Sequence, residues 1–93
     1  VSPWPAFDND VHSRLGNKLR DRMIDDYGEG LRDYCRENHH VFVDATTPIR
    51  DFVRPRVTKD YLLDHIHPNA DRGVRLYANA VLFGEPALWR IAF

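Results

Sequence analysis

Asp64 and His67 stand three residues apart in the stretch Leu63-Asp64-His65-Ile66-His67-Pro68-Asn69-Ala70. An imidazole that acts as a general base needs an acid on its far nitrogen, which sets the tautomer and steadies the imidazolium that forms. The spacing lets Asp64 supply that acid and His67 the base. Pro68 biases the His67 backbone toward extended geometry, because the residue before a proline is pushed out of the helical region. Together the two side chains make two thirds of a hydrolytic triad. The nucleophile is missing: the chain has only two serines, Ser2 and Ser13. Ser2 is wedged before Pro3 and Ser13 falls in a helical pattern, so neither sits in a turn suited to attack.

Two other readings compete for the same residues. Asp64, His65 and His67 are three possible metal ligands, with Asp60 or the His39-His40 pair as a fourth. Zinc asks for three or four such ligands held by outer hydrogen-bond partners, and nothing in this spacing demands it. The plainest reading is that Asp64 caps a turn, His67 is a loop histidine and His39-His40 is a polar turn. Cys35 is the only cysteine. It has no internal partner and reads as a small buried hydrophobe in a helix.

Composition narrows the classes. With 93 residues the chain is at most one small domain, and one this size buries only about 60–65% of its unfolded surface. A hydrophobic content of 43% with 12% aromatics points to a globular chain. The 13 basic and 14 acidic residues are well mixed, with no basic block or aromatic-basic stripe, which argues against nucleic acid. No apolar run approaches the ~18 residues of a membrane span. The chain opens at Val1 with neither an initiator Met nor a signal-peptide pattern, and so reads as a processed product or as part of something longer.

The dyad must be carried by the surrounding elements. Val1-Ser2-Pro3-Trp4-Pro5 is extended, since its two prolines forbid helix. Asp8, Asn9 and Asp10 are N-cap residues. Val11, Leu15, Leu19, Met23, Tyr27, Leu31, Tyr34 and Cys35 then recur at helical spacing. Gly16, Gly28 and Gly30 weaken that pattern, so the expectation is a broken first part and a firm helix over about 21–37, ended near Asn38. Val41-Phe42-Val43-Asp44 reads as a short strand buried on both faces of a parallel sheet. Thr46-Thr47-Pro48 starts a short helix with Ile49, Phe52 and Val53, ended by Arg54-Pro55-Arg56, and 57–68 is loop. Asn69-Ala70-Asp71 opens the last helix, whose face is Val74, Tyr77, Ala78, Val81 and Leu82, with Gly84 and Pro86 closing it. One or two parallel strands make no sheet alone. The chain therefore reads as the C-terminal part of an α/β layer fold, incomplete on its own, with the apolar tail 84–93 as a docking segment.

These residues resemble the C-terminal part of an SGNH (GDSL-type) hydrolase. That family ends in Asp-x-x-His-Pro-Asn, then a Gly and an amphipathic helix; here Asp64-His65-Ile66-His67-Pro68-Asn69 is followed by Gly73 and Leu76-Tyr77-Ala78-Asn79-Ala80-Val81. The helix with Leu31-Arg32-Asp33-Tyr34, the run Val41-Phe42-Val43-Asp44-Ala45 and the opening Ser2-Pro3-Trp4-Pro5 also look like the family's. The likeness runs from Val1 to about Gly84 and spans roughly the last half of a family domain. One departure is that Ala70, Asp71 and Arg72 separate Asn69 from Gly73, where two residues are more usual. The resemblance implies a flavodoxin-like three-layer α/β/α sandwich with a parallel sheet, and 1–93 as the C-terminal part of that single domain. It implies hydrolysis of a small ester through a serine acyl-enzyme without a cofactor, with Asp64 and His67 as the catalytic pair. The serine and oxyanion hole would lie upstream or on another chain. The partner would then be the missing N-terminal part of the domain, in the same polypeptide or a separate one. The alternative is a non-catalytic interaction piece that uses its apolar tail and open edge for docking.

Overall fold

Among the described residues three helices and one 3-10 turn carry the chain: α1 at Arg14–Glu37, α2 at Thr46–Val53, the turn at Thr58–Asp60 and α3 at Arg72–Phe83. The structure is a computed structural model that describes residues 1–7, 14–64 and 67–84, the side chains of 14–17 excepted. The expected caps at Asp8, Asn9 and Asp10, and the apolar tail beyond Gly84, lie outside the described residues.

α1 runs without a break from Arg14 to Glu37, although an irregular first part was expected from its glycines. It ends in a Schellman turn, in which the His40 N–H reaches the Cys35 carbonyl at 2.8 Å. His39 takes the left-handed position there, with φ 59°, where glycine is the usual occupant. Asn38 adds a bond from its Nδ2 to the Tyr34 carbonyl at 2.9 Å. The His39-His40 pair is thus the helix stop, with the His40 ring stacked on Tyr34.

Among the described residues the expected parallel sheet is absent, and with it the α/β/α sandwich. Among the described residues the only β pairing is a single antiparallel bridge between Leu62 and Pro68. The run Val41-Phe42-Val43-Asp44 is extended, yet Val41 is 88% exposed. A strand exists only when neighbours take its N–H and C=O groups. This one receives a single backbone partner, the Ser2 N–H on the Val43 carbonyl at 2.9 Å. Arg32 holds the segment from the side, stacking over Phe42 and pairing with Asp44 at 3.7 Å. An apolar run of this length reads as a strand or as a covered linker by composition alone; here it is a linker laid along α1.

The N-terminal segment completes α2 from across the chain. Ser2 is 2% exposed, and its Oγ accepts the N–H groups of Ala45 and Thr46 at 2.8 and 2.9 Å. Its hydroxyl donates to Asp44 Oδ1 at 3.1 Å, and Asp44 Oδ1 also accepts the Thr47 N–H at 3.1 Å. The N–H groups of Ala45, Thr46 and Thr47 are all met this way, and Pro48 at the fourth position has no N–H to satisfy. α1 meets α2 through charge: Arg50 pairs with Asp21 at 2.6 Å and with Asp25 at 2.8 Å.

The core lies between α2, α3 and the N-terminal segment: Phe7, Ala45, Ile49, Val53, Tyr61, Leu62, Leu76 and Ala80, with Trp4, Phe52, Tyr77 and Val81 packed against it. α3 turns inward a face rotated from the expected one, of which Tyr77 and Val81 still pack against the core. Gly73, Leu76, Asn79 and Ala80 are buried, whereas Val74 and Leu82 are exposed. The cause is Gly73. A Cβ there would lie 2.8 Å from Pro68 Cβ and would also collide with the Tyr61 carbonyl oxygen, so only glycine lets the first turn of α3 press on the loop. Gly84, with φ 69°, stops α3 where expected.

Candidate active site

The Asp64–His67 pair sits on a loop whose two ends are tied together. Leu63 N–H donates to the His67 carbonyl at 2.8 Å, and Asn69 N–H donates to the Tyr61 carbonyl at 2.9 Å. Asn69 then fastens this loop to its neighbours. Its Nδ2 donates to the Asp60 carbonyl at 2.7 Å, its Oδ1 accepts the Gly73 N–H at 2.9 Å, and its carbonyl accepts the Val74 N–H at 2.9 Å. The side chain therefore caps α3 and anchors the 3-10 turn at once, as Asn does well because it both donates and accepts. Its place after Pro68 was legible in the sequence; its double attachment was not.

Within this loop Asp64 grips His67 at two points. Oδ1 accepts the His67 backbone N–H at 2.8 Å, and Oδ2 lies 2.8 Å from the ring Nδ1. An ionised carboxylate only accepts, so Nδ1 carries the hydrogen and Nε2 is left as the basic lone pair. The side chains are 66% exposed for His67 and 48% for Asp64. This arrangement can take a proton from a hydroxyl brought to Nε2 and can hold the resulting imidazolium. As a stabilising contact, a pair this exposed is worth no more than about 1 kcal/mol.

No family model, curated protein or solved structure matches this chain.

The remaining candidate residues separate from the pair. Ser2 is buried in the cap of α2, with its hydroxyl committed to Asp44, so it offers no attacking oxygen. Ser13 and His65 lie outside the described residues. Among the described residues no group of three or more His, Cys, Asp or Glu side chains could hold a metal ion. No helix among them is long and apolar enough to cross a membrane. Cys35 is a buried free thiol.

One feature near the pair was not read from the sequence. Trp4, Pro68, Val74, Tyr77 and Ala78 line an open groove of about 320 Å³. Pro68 is the residue next to His67. Val74, Tyr77 and Ala78 share one face of α3, Tyr77 also packs against the core, and Trp4 meets them from the other end of the chain.

A second cavity, of about 220 Å³, lies between α1 and the start of α2, among Asp25, Glu29, Arg32, Asp44 and Thr47. Burial raises the Asp44 carboxyl, but hydrogen bonds from Thr47 and Ser2 and the charge of Arg32 outweigh it and hold the group below its ordinary value.

Proposed function

We propose that Asp64 and His67 form the general-base half of a serine-dependent ester hydrolase, of the kind that the Asp-x-x-His-Pro-Asn block resembles. The observation that carries this reading is the double grip of Asp64 on His67, which fixes the tautomer and leaves Nε2 open. In the reaction, Nε2 takes the hydroxyl proton of a serine as its oxygen attacks the ester carbonyl. The imidazolium then gives that proton to the departing alkoxide, leaving an acyl-enzyme. A water molecule, deprotonated by the same nitrogen, releases the acid.

The serine and the donors for the oxyanion come from another segment of the same polypeptide or from a partner chain. Support for such a partner comes from α1. Leu19, Met23 and Tyr27 are exposed on successive turns and Tyr34 two turns further on, while Ile24 and Cys35 face inward. An uncovered apolar stripe of this kind marks a contact surface. No cofactor enters this scheme.

The test is hydrolysis of p-nitrophenyl acetate by the complete protein. His67→Ala is expected to remove most of the turnover. Near-normal turnover in that variant would sink the assignment.

A further inference from the structure

We infer that the tail beyond Gly84 runs back along α3 and seats Leu88 and Trp89 in the groove lined by Trp4, Pro68, Val74, Tyr77 and Ala78. Residues 85–93 lie outside the described ones; the groove and the exit of α3 do not. The groove presents no polar surface and has a volume of about 320 Å³. It suits apolar side chains, and six of the seven residues 87–93 are apolar, Arg90 being the exception. This docking is independent of any chemistry at His67.

Register brings tail and groove together. Positions 74, 77, 78 and 81 run as one stripe up α3, with Val81 packed against the core beyond the groove. The chain leaves the helix at Gly84, whose φ of 69° turns it off the helix axis. Pro86 then forbids more helix and biases Glu85 toward extended geometry. Tyr77 and Val74 stand seven and ten residues before Gly84, about 10 and 15 Å back along the axis at about 1.5 Å per residue. An extended chain advances about 3.3 Å per residue, so the fourth and fifth residues past Gly84 reach about 13–16 Å. Those residues are Leu88 and Trp89.

Charge agrees with this register. Arg90, the sixth residue past Gly84, reaches about 20 Å back. That is the level of Asp71, thirteen residues before Gly84 along the helix. Asp71 is exposed and its side chain caps nothing, so its carboxylate is placed to receive the guanidinium. The groove walls are also fixed in advance. The Tyr77 hydroxyl donates to the Ser2 carbonyl at 2.9 Å, and Trp4 packs on Tyr77 with ring centroids 6.2 Å apart. Pro68 is held by its bridge to Leu62 and by the close approach of Gly73. A preformed wall loses little freedom when it binds, which favours docking. Val74, 49% exposed, thereby gains a cover.

Trypsin acting on the full chain provides the test, through release of Ile91-Ala92-Phe93 by cleavage after Arg90, followed by mass. Cleavage of a docked segment tracks the fraction of time that it is open. Val74→Glu charges the groove and Ala78→Trp fills it. Each is expected to speed the release at least about tenfold by raising the open fraction. Asp71→Lys should speed it by a smaller factor. Met23→Glu, on the exposed stripe of α1, should leave the rate unchanged. Circular dichroism checks that each variant is folded. Release at the parent rate in both folded groove variants overturns the docking. Faster release in Met23→Glu alone also overturns it, because the tail would then lie on α1. Protection that fades on dilution overturns it too, because the tail in the groove would then belong to a second copy.

Discussion

Gly73 and Pro68 are packed so closely that a single methyl group cannot fit between them: a Cβ on Gly73 would lie 2.8 Å from Pro68 Cβ. This contact sets the face that α3 turns to the core and braces the loop that carries His67. Gly73→Ala is expected to destabilise the protein by about 2–3 kcal/mol, because the neighbours are backbone and a proline ring and cannot yield. Gly30→Ala is the control. It lies exposed on α1 with nothing within 4 Å of a new Cβ, so it should stabilise by about 1 kcal/mol through helix propensity. Urea denaturation of the two variants checks both signs.

The Asp64–His67 pair predicts a separation of activity from stability. Asp64→Asn offers an amide where the ring N–H needs an acceptor, so turnover of p-nitrophenyl acetate by the complete protein should fall, though less than in His67→Ala. Such a loss can approach about 10⁴ where the tautomer inverts. The melting temperature should move only slightly, since an exposed pair contributes at most about 1 kcal/mol. A large drop in melting temperature with unchanged turnover would make Asp64 a turn cap and nothing more.

Asp44 gives the fold an acid limit. Its burial raises the carboxyl, and the hydrogen bonds from Thr47 and Ser2 together with Arg32 lower it further than burial lifts it. A carboxyl lowered in the folded state adds stability above its ordinary value of 3.8. That stability drains away as pH falls through the lower folded value. Unfolding followed from pH 6 downward should therefore show a loss below about pH 4. The loss should be smaller in Asp44→Asn, which is less stable at neutral pH but has no charge to lose there.

Asn79 is the costliest residue in the core. It is fully buried, and neither its Oδ1 nor its Nδ2 has a hydrogen-bond partner. Each such group forfeits its hydration for nothing, at about 1–3 kcal/mol. Asn79→Leu, which keeps the branch at Cγ and the same number of side-chain heavy atoms, should raise stability by about that amount in the same denaturation assay. A destabilised Leu variant would mean that the amide is doing something that an apolar side chain cannot.

Local signals were legible and nonlocal ones were not. Thr46-Thr47-Pro48 marks the start of α2 because proline fits the first turn of a helix, and Gly84 marks the end of α3 because it takes the left-handed stop. The Asp64–His67 contact was readable for the same reason, being three residues wide. Val41 to Asp44 misled because an apolar run does not say whether neighbouring strands exist to pair with it. The face of α3 misled because hydrophobic spacing favoured Val74 and Leu82, while sterics at Gly73 decided the rotation. Periodicity counts side chains; it does not see a place where one must be missing. The groove was hidden twice over, since it needs both that rotation and the arrival of Trp4 from the other end of the chain.

The hydroxyl of Ser2 on the first amides of α2 has a consequence for the order of folding. A helix of 8 residues is too short to persist alone in water, so α2 cannot act as an early nucleus. Its cap arrives only when the chain has closed a loop more than forty residues long, and such long-range closure is slow to be repaid. α1, local and 24 residues long, is free to form first. α2, the N-terminal segment and the core they share must then assemble in one late step.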